Sequence, residues 1–90
     1  MRRTRRLNLA SAAQKFLERL EPKQFKQIAV KIFSLMQDAT PVDSLPLVGS
    51  GYRRADQGEY RIVYEFDDDT IYIILIGKRN DDEVYKKLNR

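Results

Sequence analysis

Arg53, Arg54, Arg61, Arg79 and Tyr85 are the residues of this 90-residue chain whose types could act together on a substrate. A guanidinium presents a planar fork of donors that matches the oxygens of a phosphate. Several of them converging on one surface could hold that phosphate and stabilise charge that grows during phosphoryl transfer. Lys78, beside Arg79, is a further cation for the same anion. Tyr85 could share proton transfers or stack on a base. The chain contains no histidine and no cysteine. That removes the side chain best suited to proton transfer near neutral pH, and any thiolate nucleophile or metal ligand. A plainer reading is also open. These arginines can be solvated strand ends paired with Glu59, Glu65 or Asp56, and Tyr85 can pack a helix on the core.

Other suggestive runs are weaker. Asp67, Asp68 and Asp69 are consecutive, so they cannot all point at one cation, and no calcium-loop pattern surrounds them. They read as a turn. "DDE" at 81–83 reads as a helix start, and "GSG" at 49–51 lacks the lysine and spacing of a phosphate loop. No metal and no cofactor is expected.

The positions of the arginines depend on a hairpin. In "EYRIVYEF", Tyr60, Ile62, Tyr64 and Phe66 fall on one face and Glu59, Arg61, Val63 and Glu65 on the other. The first set should pack on helices and the second should be exposed. "TIYIILIG" is apolar on both faces, as a central strand is. A three-residue Asp67–Asp69 loop, with one residue in the left-handed region and a bulge, pairs Phe66 with Thr70 and sets Arg61 opposite Leu75. Residues 75, 77 and 79 then share the face of Arg61. A loop of two or four residues sends Arg79 to the other face.

Upstream, "TRRLNL" alternates like a short strand, and "SAAQKFLERL" spaces Ala13, Phe16, Leu17 and Leu20 as a helix with Ser11 as its N-cap. "EPKQFKQIAVKIFSLMQ" is a second helix, with Pro22 in its first turn and a stripe of Phe25, Ile28, Ala29, Ile32, Phe33 and Met36. "DATPVDSLPLVGSG" reads as loop, and "YRRAD" as a short strand. "NDDEVYKKLNR" has acids first and lysines later, the charge order of a short C-terminal helix. The expected fold is therefore a single α+β domain over residues 1–90. Two N-terminal helices pack on one face of a small antiparallel sheet, and a short helix closes it.

The formal net charge is +4. Residues 1–61 hold 12 Lys/Arg against 6 Asp/Glu, and residues 62–90 hold 5 against 7. This balance favours a polyanionic partner. No apolar run is long enough for a membrane span, and the stretch after "MRRTRR" is too polar for a signal peptide. The expected location is the cytoplasm, with no membrane partner.

The element order, with "YRRADQGEYRIVYEF" and then "IGKRNDDEVY", resembles the RelE/ParE superfamily of bacterial toxins from type II toxin–antitoxin pairs, and its RelE branch most. The resemblance spans nearly the whole chain and is specific over residues 52–88. It implies a metal-independent endoribonuclease that cuts mRNA in the ribosomal A site by attack of a 2′-hydroxyl, with a cognate antitoxin, the ribosome and mRNA as partners. It implies that Arg61 and Arg79 hold the phosphate and stabilise the transition state, that Arg79 helps protonate the leaving oxygen, and that Tyr85 orients or deprotonates the 2′-hydroxyl. Arg54 falls where the family sets a basic residue on the preceding strand, with Arg53 as its neighbour. Two positions on, where a second basic residue is usual, this chain has Asp56. An acid there opposes anion binding, and Arg53 or Lys78 would have to compensate. The same fold also serves toxins of the ParE branch, which act on DNA gyrase without cleavage, and could serve as a plain RNA- or protein-binding module.

Overall fold

A computed structural model describes residues 4–79. The expected C-terminal helix and Tyr85 lie outside the described residues. The chain runs β1 (Arg6–Leu9), α1 (Ser11–Glu18), α2 (Pro22–Gln37), β2 (Ser44–Pro46), β3 (Arg53–Gln57), β4 (Tyr60–Phe66) and β5 (Thr70–Lys78). The five strands form one sheet in the order β1-β5-β4-β3-β2. β1 runs parallel to β5, and every other neighbouring pair is antiparallel. Both helices cover one face, giving the expected α+β layering.

Packing selects which apolar residues of each helix face the sheet. In α1, Ala13 and Leu17 are buried one turn apart, with Phe16 and Leu20 partly buried beside them. The N-cap is Ala10 rather than Ser11, which is already helical, and no side chain caps the helix. In α2, Pro22 occupies the first turn as expected. Ile28, Ile32 and Leu35 face the core, whereas Phe25 and Phe33 of the expected stripe are 45% and 56% exposed. α2 carries apolar residues on two adjoining faces, and the sheet takes only one of them. Leu35, absent from the expected stripe, is fully buried.

The segment expected to be loop contains β2, a three-residue edge strand paired with β3. Its Pro46 is tolerated because an edge strand leaves one row of backbone donors unpaired. Beyond it Leu47 N–H donates to Tyr52 O at 2.9 Å, and Gly49 has a φ of +82°, so the chain reverses there into β3.

The core lies between the helices and the near face of the sheet. Ala55 of β3, Tyr60, Ile62 and Tyr64 of β4, and Ile71, Ile73 and Ile76 of β5 fill it. The expected inward set of β4 is the observed one. The outward set differs at Val63, which is fully buried on the far face with Leu47 and Leu75, against Tyr52 and Ile74. The β2–β3 connection supplies Leu47 and Tyr52 to cover that face.

Tyr64 ties the sheet to the end of α2. It is fully buried, and its hydroxyl donates to Ala39 O at 2.7 Å. Tyr64→Phe leaves that carbonyl buried and unpaired, which costs about 1–2 kcal/mol. The urea midpoint should fall accordingly while the m-value stays unchanged.

Candidate functional site

Two strand registers assemble the arginines. The β3–β4 hairpin turns through Gly58 and Glu59, between the paired residues Gln57 and Tyr60. Gly58 has a φ of +60°, the left-handed value that a two-residue turn with glycine first requires. This turn fixes Asp56 directly opposite Arg61 and Arg54 opposite Val63. All of them lie on the face away from the helices.

The β4–β5 turn departs from expectation twice. Phe66 pairs with Ile71 rather than with Thr70, so four residues instead of three lie between the last paired positions of β4 and β5. No non-glycine residue among those described has a positive φ. The turn is held instead by the Asp67 carboxylate, whose Oδ1 accepts from the amides of Asp69 and Thr70, each at 2.8 Å. Those amides hold its pKa below the ordinary value of 3.8. Alone, this turn would send Arg79 to the helix face. The register then shifts between Val63 and Tyr64, because Val63 pairs with Leu75 and Tyr64 with Ile73. Ile74 is the extra residue of a bulge. The two deviations cancel, and Arg61 stands opposite Gly77. Arg79, two residues on, returns to the face of Arg61, as the three-residue loop would also have placed it. Its amide donates to Glu59 O at 2.9 Å and continues the ladder past β5.

The three guanidiniums meet at the Asp56 carboxylate. Arg61 Nε donates to Oδ1 at 2.8 Å and Nη2 donates to Oδ2 at 3.2 Å. Arg54 Nη1 lies 3.8 Å from Oδ2 and Arg79 Nη1 lies 3.9 Å from it. The cluster is graded in depth. The Arg61 side chain is 12% exposed, Arg54 27% and Arg79 49%. Arg61, expected to be exposed, is thus the inner wall of the site, because it shares its face with the buried Val63 and Leu75. The Arg61 hydrogen bond, with the charges of Arg61, Arg54 and Arg79 behind it, holds the Asp56 carboxyl below 3.8, against the opposing effect of burial.

The other expected site residues are placed elsewhere. Arg53 pairs with Tyr64 and therefore faces the helix side, where its Nη2 donates to Ser44 Oγ at 2.8 Å. Its Nε is buried without a hydrogen-bond partner among the described residues. Lys78 pairs with Tyr60, also on the helix side, and is exposed. Neither belongs to the Asp56 cluster, so neither offsets its negative charge there. The residue that sequence reasoning placed as an intrusion is the one on which the cluster converges. The signal for it was present in the two-residue spacing from Arg54 and the short glycine turn before Arg61.

This architecture is found in known proteins. A family profile described as the ParE toxin of type II toxin–antitoxin systems matches residues 2–83. The chain belongs to that family. No curated protein sequence matches it. Among solved structures, it is similar to the toxin–antitoxin complex RelBE2 from Mycobacterium tuberculosis. That match has 23% identity and a TM-score of 0.75, over 87% of this chain and 94% of the other. The archaeal RelE–RelB complex from Pyrococcus horikoshii gives 25% identity and a TM-score of 0.74, over 86% and 97% of the two chains. The intact RelBE complex of Escherichia coli gives 20% and 0.71, over 82% and 95%. The toxin thus carries a ParE family signature on a fold shared with RelE proteins.

Two stability predictions follow from the ion cluster. Arg61→Ala should keep the fold but lose about 1–2 kcal/mol, since among the described residues Asp56 then retains the two longer contacts, to Arg54 and Arg79. The pH dependence has a definite sign. A carboxyl whose folded value lies below 3.8 adds stability that is complete above 3.8 and is lost as pH falls through the folded value. Asp43, held low by Lys31, and Asp67 act in the same direction. Urea titrations from about pH 5 to about pH 2 should show falling stability below about pH 4, and a shallower fall in Asp56→Asn.

Proposed function

We propose that this toxin is an endoribonuclease that cuts mRNA held in the ribosomal A site, in the cytoplasm, and that a cognate antitoxin silences it. The observation that carries this reading is the convergence of Arg54, Arg61 and Arg79 on one point of the sheet face away from the helices, beside the apolar pad of Val63 and Leu75. Three forked cations around one anion position form an arrangement suited to a phosphodiester whose charge grows in the transition state.

In the proposed reaction the 2′-oxygen attacks the adjacent phosphorus. The O2′–P bond forms as the P–O5′ bond breaks, leaving a 2′,3′-cyclic phosphate and a 5′-hydroxyl. Arg61 and Arg54 hold the non-bridging oxygens. Arg79, the most exposed of the three, assists protonation of the leaving oxygen. Tyr85 orients the 2′-hydroxyl and takes its proton. A tyrosine whose ordinary pKa is about 10 needs neighbouring cations to do this near neutral pH. The antitoxin fits the same surface by charge, because its most direct way to silence the site is to place acidic groups on the arginines.

A second reading is favoured by the family profile itself, which is that of ParE. In it the protein acts on DNA gyrase, and the arginines make contacts to a macromolecule without cleavage. A plain binding module of the same fold is the limiting case.

Primer extension on an mRNA translated in a purified system separates these. The endonuclease reading expects breaks inside A-site codons only when ribosomes are present. Arg61→Ala and Arg79→Ala should each lower cleavage by about 10²–10³-fold, the loss typical of removing one transition-state donor. Tyr85→Phe should also lose activity if the phenol moves a proton, whereas stacking alone would survive it. Intact mRNA together with altered plasmid supercoiling would support the gyrase reading instead.

A further inference from the structure

Asp56 occupies the place that an incoming phosphate oxygen would need. Its Oδ2 is 3.2 Å from Arg61 Nη2, 3.8 Å from Arg54 Nη1 and 3.9 Å from Arg79 Nη1, and its Oδ1 takes Arg61 Nε at 2.8 Å. A carboxylate and a phosphate offer a guanidinium the same pair of acceptor oxygens. The strand geometry makes this placement firm. Asp56 and Arg54 share one face of β3, and Asp56 is the direct cross-strand partner of Arg61.

We propose that Asp56 is an internal counter-anion, a positioning residue that holds Arg54, Arg61 and Arg79 as an assembled cradle in the RNA-free toxin and yields Arg61 when a phosphodiester binds. The inference rests on the reading that this site takes RNA. Three guanidiniums brought within reach of one point repel each other, and the carboxylate offsets that repulsion before any substrate arrives.

The arrangement has a consequence for affinity. A substrate phosphate must displace an anion that is tethered beside the cradle and therefore always present at high effective concentration. Apparent affinity falls by the fraction of molecules in which Arg61 is released. Isolated RNA and inorganic phosphate then bind weakly. RNA already held in place by a larger assembly can displace the carboxylate. Asp56 thereby makes the toxin selective for presented RNA over free RNA.

The test compares wild type, Asp56→Asn and Asp56→Glu. The probe is a short single-stranded RNA with a 2′-O-methyl group on every ribose, which cannot be cut by 2′-hydroxyl attack. Asp56→Asn should bind it about tenfold more tightly than wild type, because the competing charge is gone. The log–log salt slope should steepen by about one unit between about 0.05 and 0.2 M salt. Asp56→Glu, which keeps the charge, should stay near wild type. Equal or weaker binding by a folded Asp56→Asn protein overturns the proposal, since a purely structural aspartate would give that result.

Wild type alone supplies a second measurement if Asp56→Asn does not fold. Titration with inorganic phosphate should shift the Arg61 Nε–H and Asp56 carboxyl resonances together, and phosphate binding with an unmoved Asp56 carboxyl overturns the inference. Failure of the endonuclease reading is distinguishable from this. Tighter binding by Asp56→Asn with uncut mRNA supports the counter-anion in a non-cleaving toxin. Cut mRNA with unchanged binding removes the counter-anion alone.

Discussion

Strand register is the constraint on which the rest of this molecule depends. Side chains alternate faces along a strand, so a slip of one residue exchanges core and surface along its whole length. Two local features hold the register here. Gly58 turns β3 into β4 so that Asp56 meets Arg61. The Ile74 bulge corrects β5 after a four-residue turn. If the bulge were absent, Ile76 would leave the core and Arg79 would enter the helix side. The core therefore enforces the bulge. Ile71 and Ile73 before it and Ile76 after it must all be buried in the same layer. The arginine cluster follows from that demand without needing a separate device.

The far face of the sheet combines two environments that would be costly apart. Val63, Leu75 and Leu47 form a small apolar pad, and the arginine cluster lies beside it. A guanidinium next to apolar surface loses hydration, which strengthens its attraction for an anion and raises the cost of leaving it without one. Arg61 is the deepest of the three and has the bidentate partner, while Arg79 is the most open and has the longest contact. Neutralisation is thus strongest where solvent is scarcest. This grading lets a small α+β fold of modest stability carry three converging cations.

What the sequence made legible was what periodicity encodes. The inward face of β4, the two helices and their order follow from spacing that only one layer arrangement satisfies. α2 was harder, because Phe25 and Phe33 continue the same helical spacing as Ile28 and Ile32, and only the packing against the sheet separates the exposed pair from the buried one. β2 was hidden because three residues ending in proline carry no periodic signal; their pairing comes from β3. Arg61 was identifiable as an outward residue of β4, whereas spacing left Arg53 or Arg54 open on the neighbouring strand, and the register decides for Arg54. Asp56 was visible as a type but not as a partner. The sequence shows an acid in a basic neighbourhood and a glycine turn before Arg61, and a two-residue length for that turn is what sets Asp56 opposite Arg61. The face of Arg79 was reached through a turn length that differs from the observed one, and the bulge compensates for that difference. Arg53 and Lys78 were placed by proximity along the chain, which in a strand puts neighbours on opposite faces.

The fold by itself does not decide between cleavage and inhibition. A ParE family signature and a RelE-like backbone coexist in this chain, and one scaffold can host unrelated activities. The decision lies in a few side chains on the far face of the sheet. A contact surface for a protein partner needs no convergence, because its cations can be spread over the interface to meet separate groups. Chemistry on one phosphate does need it, since the charge to be stabilised develops on oxygens bound to a single atom. In this toxin Arg54 comes from β3, Arg61 from β4 and Arg79 from the residue that follows β5, and they still meet within 4 Å of one carboxylate oxygen. That focus is what a phosphodiester requires and a dispersed contact surface does not.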